Sequence, residues 1–473
     1  MRRFIFFLLL ILPNVLLAQN IKSESLNRNI YPTFSITAFG TTQEQRLFDW
    51  TTLQFDKLVY AKRRAKLVQT LKNSGGGIFL APSSHGVSHG FTFRQLDDFL
   101  YFTGLELPRS ILVIDADTGK TALFVPRRDA RFESKSRAND FPGRPLADDP
   151  DLARVCGISE IKPYEDFKTA ISKWSTEKRI LKINSGRNSK IQQIKTDFTY
   201  DWNPAVQLIF HIQQTYPSAK IDNAFAEIAQ LRMVKGPEEI KVIRRVCNLT
   251  IGAIKYAAAF IKDGVNERTL EAELEAVYKR GGSQRLAFSS IIKSGPNSLW
   301  PWRILAAHSN RRNRQMKSGE LVIFDVGTEL DTYASDVGRT FPVSGKFTVE
   351  QKKILEMETA VSDAIIDAIR PGVTFSELTQ IAIAAIPASE RKYMQTGSFF
   401  GHHIGLAVGD PSLLDAPLAP GMVFTVEPWY YNHDKNIAVF TEDVILVTKT
   451  GAENLTAALP RAPDELEKLI GKQ

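Results

Sequence analysis

Apolar positions recur at helical spacing from Leu58 to Leu71, until Ser74-Gly75-Gly76-Gly77 breaks the pattern ahead of a short apolar run, Ile78 to Ala81. The pattern predicts a helix, a turn and a strand. A second apolar run, Ile111 to Ile114, turns at Asp117-Thr118-Gly119 into a third, Thr121 to Val125, which predicts a hairpin. Strands and helices continue to about Asn203, where Asp201-Trp202-Asn203-Pro204 suggests the end of an N-terminal α/β domain, taken as 45–205. A second domain, 222–460, follows. Its first helix is signalled by Lys235-Gly236-Pro237-Glu238-Glu239, because proline suits the first helical turn and acids there face the positive end of the helix dipole. Ile240, Ile243, Cys247, Ile251 and Ile254 then recur at helical spacing as a core stripe, and another helix is expected over Glu267 to Tyr278. A chain of 473 residues exceeds one ordinary core, so the expected class is α/β (α+β) in two domains.

In the second half several acids interrupt apolar runs. Leu321-Val322-Ile323-Phe324-Asp325-Val326-Gly327 reads as a buried strand carrying an acid, and Tyr333-Ala334-Ser335-Asp336 returns after a polar turn. A hairpin can aim both carboxylates at one point, where two anions repel unless a cation or proton neutralises them. Two acids beside a turn are more often surface residues, so other segments must decide. Gly401-His402-His403-Ile404-Gly405-Leu406, Pro420-Gly421-Met422-Val423-Phe424-Thr425-Val426-Glu427-Pro428 and Phe440-Thr441-Glu442-Asp443 supply them. In the last two, an acid lies in or at the end of an apolar run, where an unpaired charge is expensive to bury.

Composition narrows the class. Hydrophobic residues at 43% and charged residues at 24% describe a globular protein and exclude a collagen-like, coiled-coil or largely disordered chain. The net charge of +8 is spread along the chain, and the densest basic stretch, Arg311, Arg312 and Arg314, has no aromatic neighbours on which bases could stack. Nucleic acid is not an expected partner. Arg2 and Arg3 precede the apolar run Phe4 to Leu12, and Leu16-Leu17-Ala18 offers a cleavage site before Gln19. This predicts a signal peptide over 1–18 and a periplasmic or extracellular location. Pro13 breaks that run, and no later run of about 18 apolar residues appears, so no stable membrane span is expected after processing. Of the two cysteines, Cys156 and Cys247, neither sits in a metal-type or redox-type pair. Two buried thiols are expected.

The ordered set Asp325, Asp336, His402, Glu427 and Glu442, each in its local sequence, resembles the creatinase and aminopeptidase P group of pita-bread metallopeptidases. Gly338-Arg339-Thr340-Phe341-Pro342-Val343 after Asp336 is close to that family's usual run. In the first half, Phe93-Arg94-Gln95-Leu96-Asp97-Asp98-Phe99 and Tyr101-Phe102-Thr103-Gly104 resemble its non-catalytic domain. The resemblance implies an N-terminal creatinase/prolidase-like domain followed by a pita-bread domain that binds two divalent metal ions. It makes Asp325 a bidentate ligand of one ion and Asp336 a bridge to the second. His402 becomes the nitrogen ligand, Glu427 a terminal ligand and proton acceptor beside the attacking water, and Glu442 the other bridge. Four carboxylates and one imidazole form a hard set that favours Mn2+, with Zn2+, Co2+ or Fe2+ as alternatives. The implied activity is that of an Xaa-Pro aminopeptidase, acting on peptides with proline second. A prolidase-like Xaa-Pro dipeptidase and a non-hydrolytic metal- and peptide-binding relative are the alternatives. Relatives of this kind often form homodimers or homotetramers.

Some of the family pattern is missing. Counting forward from Gly295-Pro296-Asn297 puts the first outer histidine on Trp302, whereas counting back from Asp325 puts it on His308. The nearer anchor favours His308 as a catalytic residue. Ser398 and Gly409 stand where two further histidines are usual, Phe440 replaces an arginine, and Gly338 replaces the first threonine of a Thr-Arg-Thr run. His403 is no simple substitute, since adjacent side chains of an extended segment point apart. Losing donors near a developing oxyanion typically costs about 2.7–4 kcal/mol in the transition state.

Overall fold

The structure is a computed structural model that describes residues 53–85, 93–127, 147–149, 151–187, 203–301, 313–394 and 400–471. The helix Lys57–Asn73 begins at Asp56, whose carboxylate accepts the Leu58 N–H at 2.8 Å. It ends where the three glycines Gly75, Gly76 and Gly77 all take positive φ, which side chains with a Cβ resist. That turn feeds strand β1 (Ile78–Pro82), followed by β2 (Ile111–Asp115), β3 (Thr121–Val125), β4 (Glu160–Pro163), β5 (Ile180–Ile183) and β6 (Lys220–Asn223). They form one mixed sheet in the order β4-β3-β2-β1-β5-β6. The predicted hairpin is β2–β3, with Ile111 opposite Phe124 and Ile114 opposite Thr121.

The expected boundary at 205 falls at the start of a helix. Asn203 accepts the Val206 N–H at 3.0 Å and Pro204 occupies the first turn, so Asp201-Trp202-Asn203-Pro204 leads into the helix Pro204–Thr215. That helix buries Val206, Ile209 and Ile212 against Ile78, Leu80, Ile111 and Val113 of the sheet. Strand β6 then adds parallel to β5, with Leu181 opposite Ile221. β6, ending at Asn223, is thus the edge strand of the first sheet.

The second domain opens with the helix Pro237–Ala258, which packs on Glu267–Arg280. The predicted stripe faces inward: Ile243, Cys247, Ile251 and Ile254 are buried. Its strands are β7 (Arg285–Leu286), β8 (Ile291–Ser294), β9 (Leu321–Val326), β10 (Thr328–Leu330), β11 (Tyr333–Ala334), β12 (Val337–Pro342), β13 (Val423–Val426), β14 (Trp429–Asn432), β15 (Ile437–Phe440), β16 (Asp443–Val447) and β17 (Ala452–Asn454). They pair as β12-β9-β8, β11-β10-β7, β13-β16-β17 and β14-β15. The helices Val349–Ala368 and Phe375–Ala385 cover them. Past residue 460 a short helix, Pro463–Glu467, docks back, with the Glu467 carboxylate accepting the Phe347 N–H at 3.0 Å.

One core crosses between the halves, uniting Leu67, Phe99 and Phe102 with Ile243, Cys247, Ile404 and Val423. Both cysteines lie in it as free thiols, and burial pushes the Cys247 thiol up to about 12. No helix among the described residues is long and apolar enough to cross a membrane.

Candidate metal centre

Three elements converge on one spot. Asp325 lies on β9, in register with Gly338 of β12 and Ile291 of β8. Asp336 immediately precedes β12, and Glu442 lies in the two-residue link between β15 and β16, bridged to Gly338. The Glu442 N–H donates to the Gly338 carbonyl at 3.0 Å, which fixes the two strands side by side. One carboxylate oxygen each from Asp325, Asp336 and Glu442 lies within 4.8 Å of the others, and among the described residues this is the grouping of metal-binding type. His402 brings Nε2 to 3.5 Å from Asp336 Oδ2. The Thr425 hydroxyl of β13 accepts the N–H groups of Gly401 and His402, so the strand that leads into Glu427 also holds the histidine's segment. Gly401 is required there: a Cβ would sit 2.2 Å from Glu427 Oε1.

Burial is the dominant electrostatic fact. Burial and the neighbouring Glu427 charge hold the Asp325 carboxyl well above the usual range, and burial with the charges of Asp325 and Glu427 does the same to Asp336. Glu442 is likewise raised, by burial and then by Asp336, and burial pushes Glu427 up to about 7. Burial lowers His402, keeping a neutral imidazole available as a donor of electrons. Both oxygens of Glu442 and Oδ1 of Asp336 are buried without a hydrogen-bond partner. Such a cluster is stable when protons or cations occupy it. A compact oxygen-rich set with one imidazole fits divalent cations, which neutralise the carboxylates where a single proton could serve only a pair.

A residue read only as part of a run supports this arrangement. Arg339 is wholly buried and donates to Asp443 Oδ1 at 2.7 Å, the Glu442 carbonyl at 2.7 Å and the Leu459 carbonyl at 3.0 Å. Burial alone would raise Asp443, but Arg339 and Arg461 outweigh it and hold the carboxyl below the usual range. Asp443 is thus a counter-ion, facing away from its neighbour Glu442 as strand alternation demands. A charged side chain in the middle of a strand, between Val337 and Phe341, was the available signal.

The departures from the family pattern have structural counterparts. Phe440 stacks on Trp429 with ring centroids 3.6 Å apart, and Trp429 stacks in turn on Tyr431 at 5.4 Å. A Cβ on Gly338 would lie 2.2 Å from the Phe440 ring, so the small residue and the large one are two halves of one substitution. Tyr431, half-buried, has its phenol pushed up by burial, with smaller contributions from the charges of Asp325, Glu358 and Glu427. Gly409 is exposed and lines, with His402, a cavity of about 780 Å³. His403 packs its ring among Phe375 and Phe424, and burial pushes it down to about 3, so it is a neutral packing residue. His308, Trp302 and Ser398 lie outside the described residues. Of the basic stretch, Arg314 is committed to Glu320.

Comparison with known proteins agrees with this architecture. Residues 241–449 match the model of metallopeptidase family M24, and residues 60–181 match the aminopeptidase P N-terminal domain. The Xaa-Pro aminopeptidase of Escherichia coli (strain K12) is 27% identical over 459 residues, covering 87% of this chain and 97% of that one. Xaa-Pro aminopeptidase 3 of Homo sapiens is 26% identical over 87% of this chain and 86% of its own. The Xaa-Pro dipeptidase of Pyrococcus furiosus is 33% identical, over 50% of this chain and 66% of its own. Among solved structures, a Bacillus anthracis protein assigned to aminopeptidase P superposes with a TM-score of 0.73 at 25% identity, covering 88% of this chain and 98% of that one. The chain belongs to the aminopeptidase P group of the pita-bread metallopeptidases.

Proposed function

We propose that this protein is a metal-dependent Xaa-Pro aminopeptidase, in which Asp325, Asp336, His402, Glu427 and Glu442 hold two divalent ions. The observation that carries the reading is the buried carboxylate cluster beside His402, embedded in a chain similar to aminopeptidases along most of its length. The dipeptidase relatives align over about half of the chain, which favours the aminopeptidase over the prolidase-like alternative.

Divalent ions supply an acidified water and polarise the scissile carbonyl when bound. The chain's own residues do the rest. Glu427 accepts the proton released by the attacking water, at a position that Gly401 keeps clear. Thr425 orients the segment of His402. Arg339 and Asp443 fix the backbone on which Glu442 is presented. Mn2+ is the favoured ion on the hardness of the donors, with Zn2+, Co2+ or Fe2+ next. His308 is proposed as an outer catalytic histidine on its spacing from Asp325.

The test is to purify the protein, measure its bound metal and offer Xaa-Pro-Yaa peptides, Xaa-Pro dipeptides and proline-free controls. Cleavage of the first class with release of the N-terminal residue is expected. No cleavage by metal-replete protein would leave the non-hydrolytic reading, which the exposed Gly409 and apolar Phe440 favour. Glu427→Gln should abolish authentic activity. Replacement of His308 should lower turnover more than metal content, and unchanged turnover would return that role to the Trp302 alignment or to no residue. Export is proposed from the leader over 1–18, and N-terminal sequencing of the processed chain would check it.

A further inference from the structure

An ion network outside the cluster joins the two halves of the chain. Arg94 reaches three segments at once: Nε donates to Glu329 at 3.2 Å, Nη1 to Asp97 at 2.9 Å and Nη2 to the Leu406 carbonyl at 2.8 Å. The other oxygen of Asp97 accepts from Arg232 at 3.1 Å, and Arg232 also donates to Asp98 at 3.0 Å and to Asp410. Lys235 donates to the remaining Asp410 oxygen at 3.1 Å, and Arg285 to the remaining Glu329 oxygen at 3.0 Å. Four cations therefore meet four carboxylates, and Arg232, Lys235, Glu329 and Asp410 are buried. Burial alone would raise the Asp410 carboxyl, but Arg232 and Lys235 hold it below the usual range. Every charge has a partner.

What the network touches gives it meaning. Glu329 lies in the hairpin between Asp325 and Asp336. Leu406 and Asp410 lie in the loop that follows His402. That loop closes on itself, with the Asp410 N–H donating to the His403 carbonyl at 2.8 Å and the Asp410 carboxylate filling the space a Cβ on Gly405 would need. It touches the hairpin directly through the Ala334 N–H and the Gly405 carbonyl at 2.9 Å. Arg94, Asp97 and Asp98 belong to the N-terminal domain, which contributes none of the five candidate ligands.

We propose that Arg94, Asp97, Asp98, Arg232 and Asp410 are positioning residues for the metal centre, by which the N-terminal domain sets the spacing between the Asp325–Asp336 hairpin and the His402 loop. The proposal rests on the reading of those residues as metal ligands. Metal affinity then depends on domain docking, and by thermodynamic reciprocity metal binding tightens the docking. Carboxylates held at fixed spacing bind a cation without first being reorganised, which is how partners behind the ligands raise affinity.

The test uses the full chain, metal-free and titrated with Mn2+ and with Zn2+ by calorimetry. Arg94 is partly exposed, so Arg94→Gln should fold. It should weaken metal binding on the order of tenfold. Asp97→Asn should act in the same direction. Arg244→Gln, which breaks an exposed pair with Glu453 that shares no residue with the network, should bind metal as wild type does. In wild type, metal should slow amide hydrogen exchange in the helix Asp97–Thr103. A lower melting temperature with metal affinity within twofold of wild type for both network variants, or unchanged exchange on metal addition, would overturn the proposal. Wild-type protein that binds no metal would instead overturn the ligand assignment beneath it.

Discussion

Gly338→Ala isolates the packing beside the cluster in a single methyl group. Alanine in a strand interior ordinarily stabilises by about 0.5–1 kcal/mol relative to glycine, because the unfolded glycine has more conformations to lose. Here the added Cβ would stand 2.2 Å from Cε1 and 2.5 Å from Cδ1 of Phe440. The ring cannot retreat, since its other face stacks on Trp429 and its backbone exchanges hydrogen bonds with the Thr340 hydroxyl at 2.8 and 2.9 Å. Relief requires opening the bridge between Gly338 and Glu442, and overpacking of this kind costs about 1–3 kcal/mol. The net expectation is destabilisation of about 1–2 kcal/mol, together with weaker metal retention because Glu442 moves with its backbone. Thermal and urea unfolding of metal-free protein would measure the first effect, and calorimetric metal titration the second. In a Phe440→Ala background the same change should be neutral or stabilising, giving a coupling of about 1–3 kcal/mol. Stabilisation by Gly338→Ala in the wild-type background would refute the reasoning, because the sign alone separates a clash from an ordinary strand glycine.

Three further outcomes are expected. The raised carboxyls keep protons in the metal-free folded state that the unfolded chain releases above about pH 4.5, so their contribution to stability is lost as pH rises through the folded values. With Glu427 pushed up to about 7 by burial, metal-free Glu427→Gln should gain about 3 kcal/mol over metal-free wild type between pH 5 and 8; an unchanged difference across that range would count against the buried cluster. Asp443→Asn leaves the wholly buried Arg339 with no carboxylate partner and should cost about 3–5 kcal/mol in chemical denaturation; a loss below about 1 kcal/mol would show that backbone carbonyls suffice. Gly401→Ala drives a methyl onto Glu427 Oε1 and should reduce kcat more than it reduces folding stability, which parallel peptidase and melting assays would separate.

The helices and strands were legible because their causes are local. Spacing of apolar residues marked Lys57–Asn73 and Pro237–Ala258, and turn chemistry marked the β2–β3 hairpin. At Asn203-Pro204 the local signal is a helix cap, and only the tertiary pairing of β6 with β5 shows which sheet the following strand joins. The identities and order of the five candidate ligands were available from family resemblance, since each sits in its own short motif. Their convergence could not be read from periodicity, which carries information about neighbours a few residues apart.

Tertiary structure alone decided which distant residues share a volume. Gly338 and Phe440 read as two unrelated departures in the chain, and packing makes them one. His403 could have been a surface residue and is instead a neutral ring among phenylalanines. Arg94, Glu329, Leu406 and Asp410 give no joint signal in sequence, because ion pairing depends on distances of a few ångströms between segments hundreds of residues apart. The sequence by itself determined the local elements and the chemical types at the site. Folding decided their spacing, through side-chain contacts that act only once the chain has brought them together.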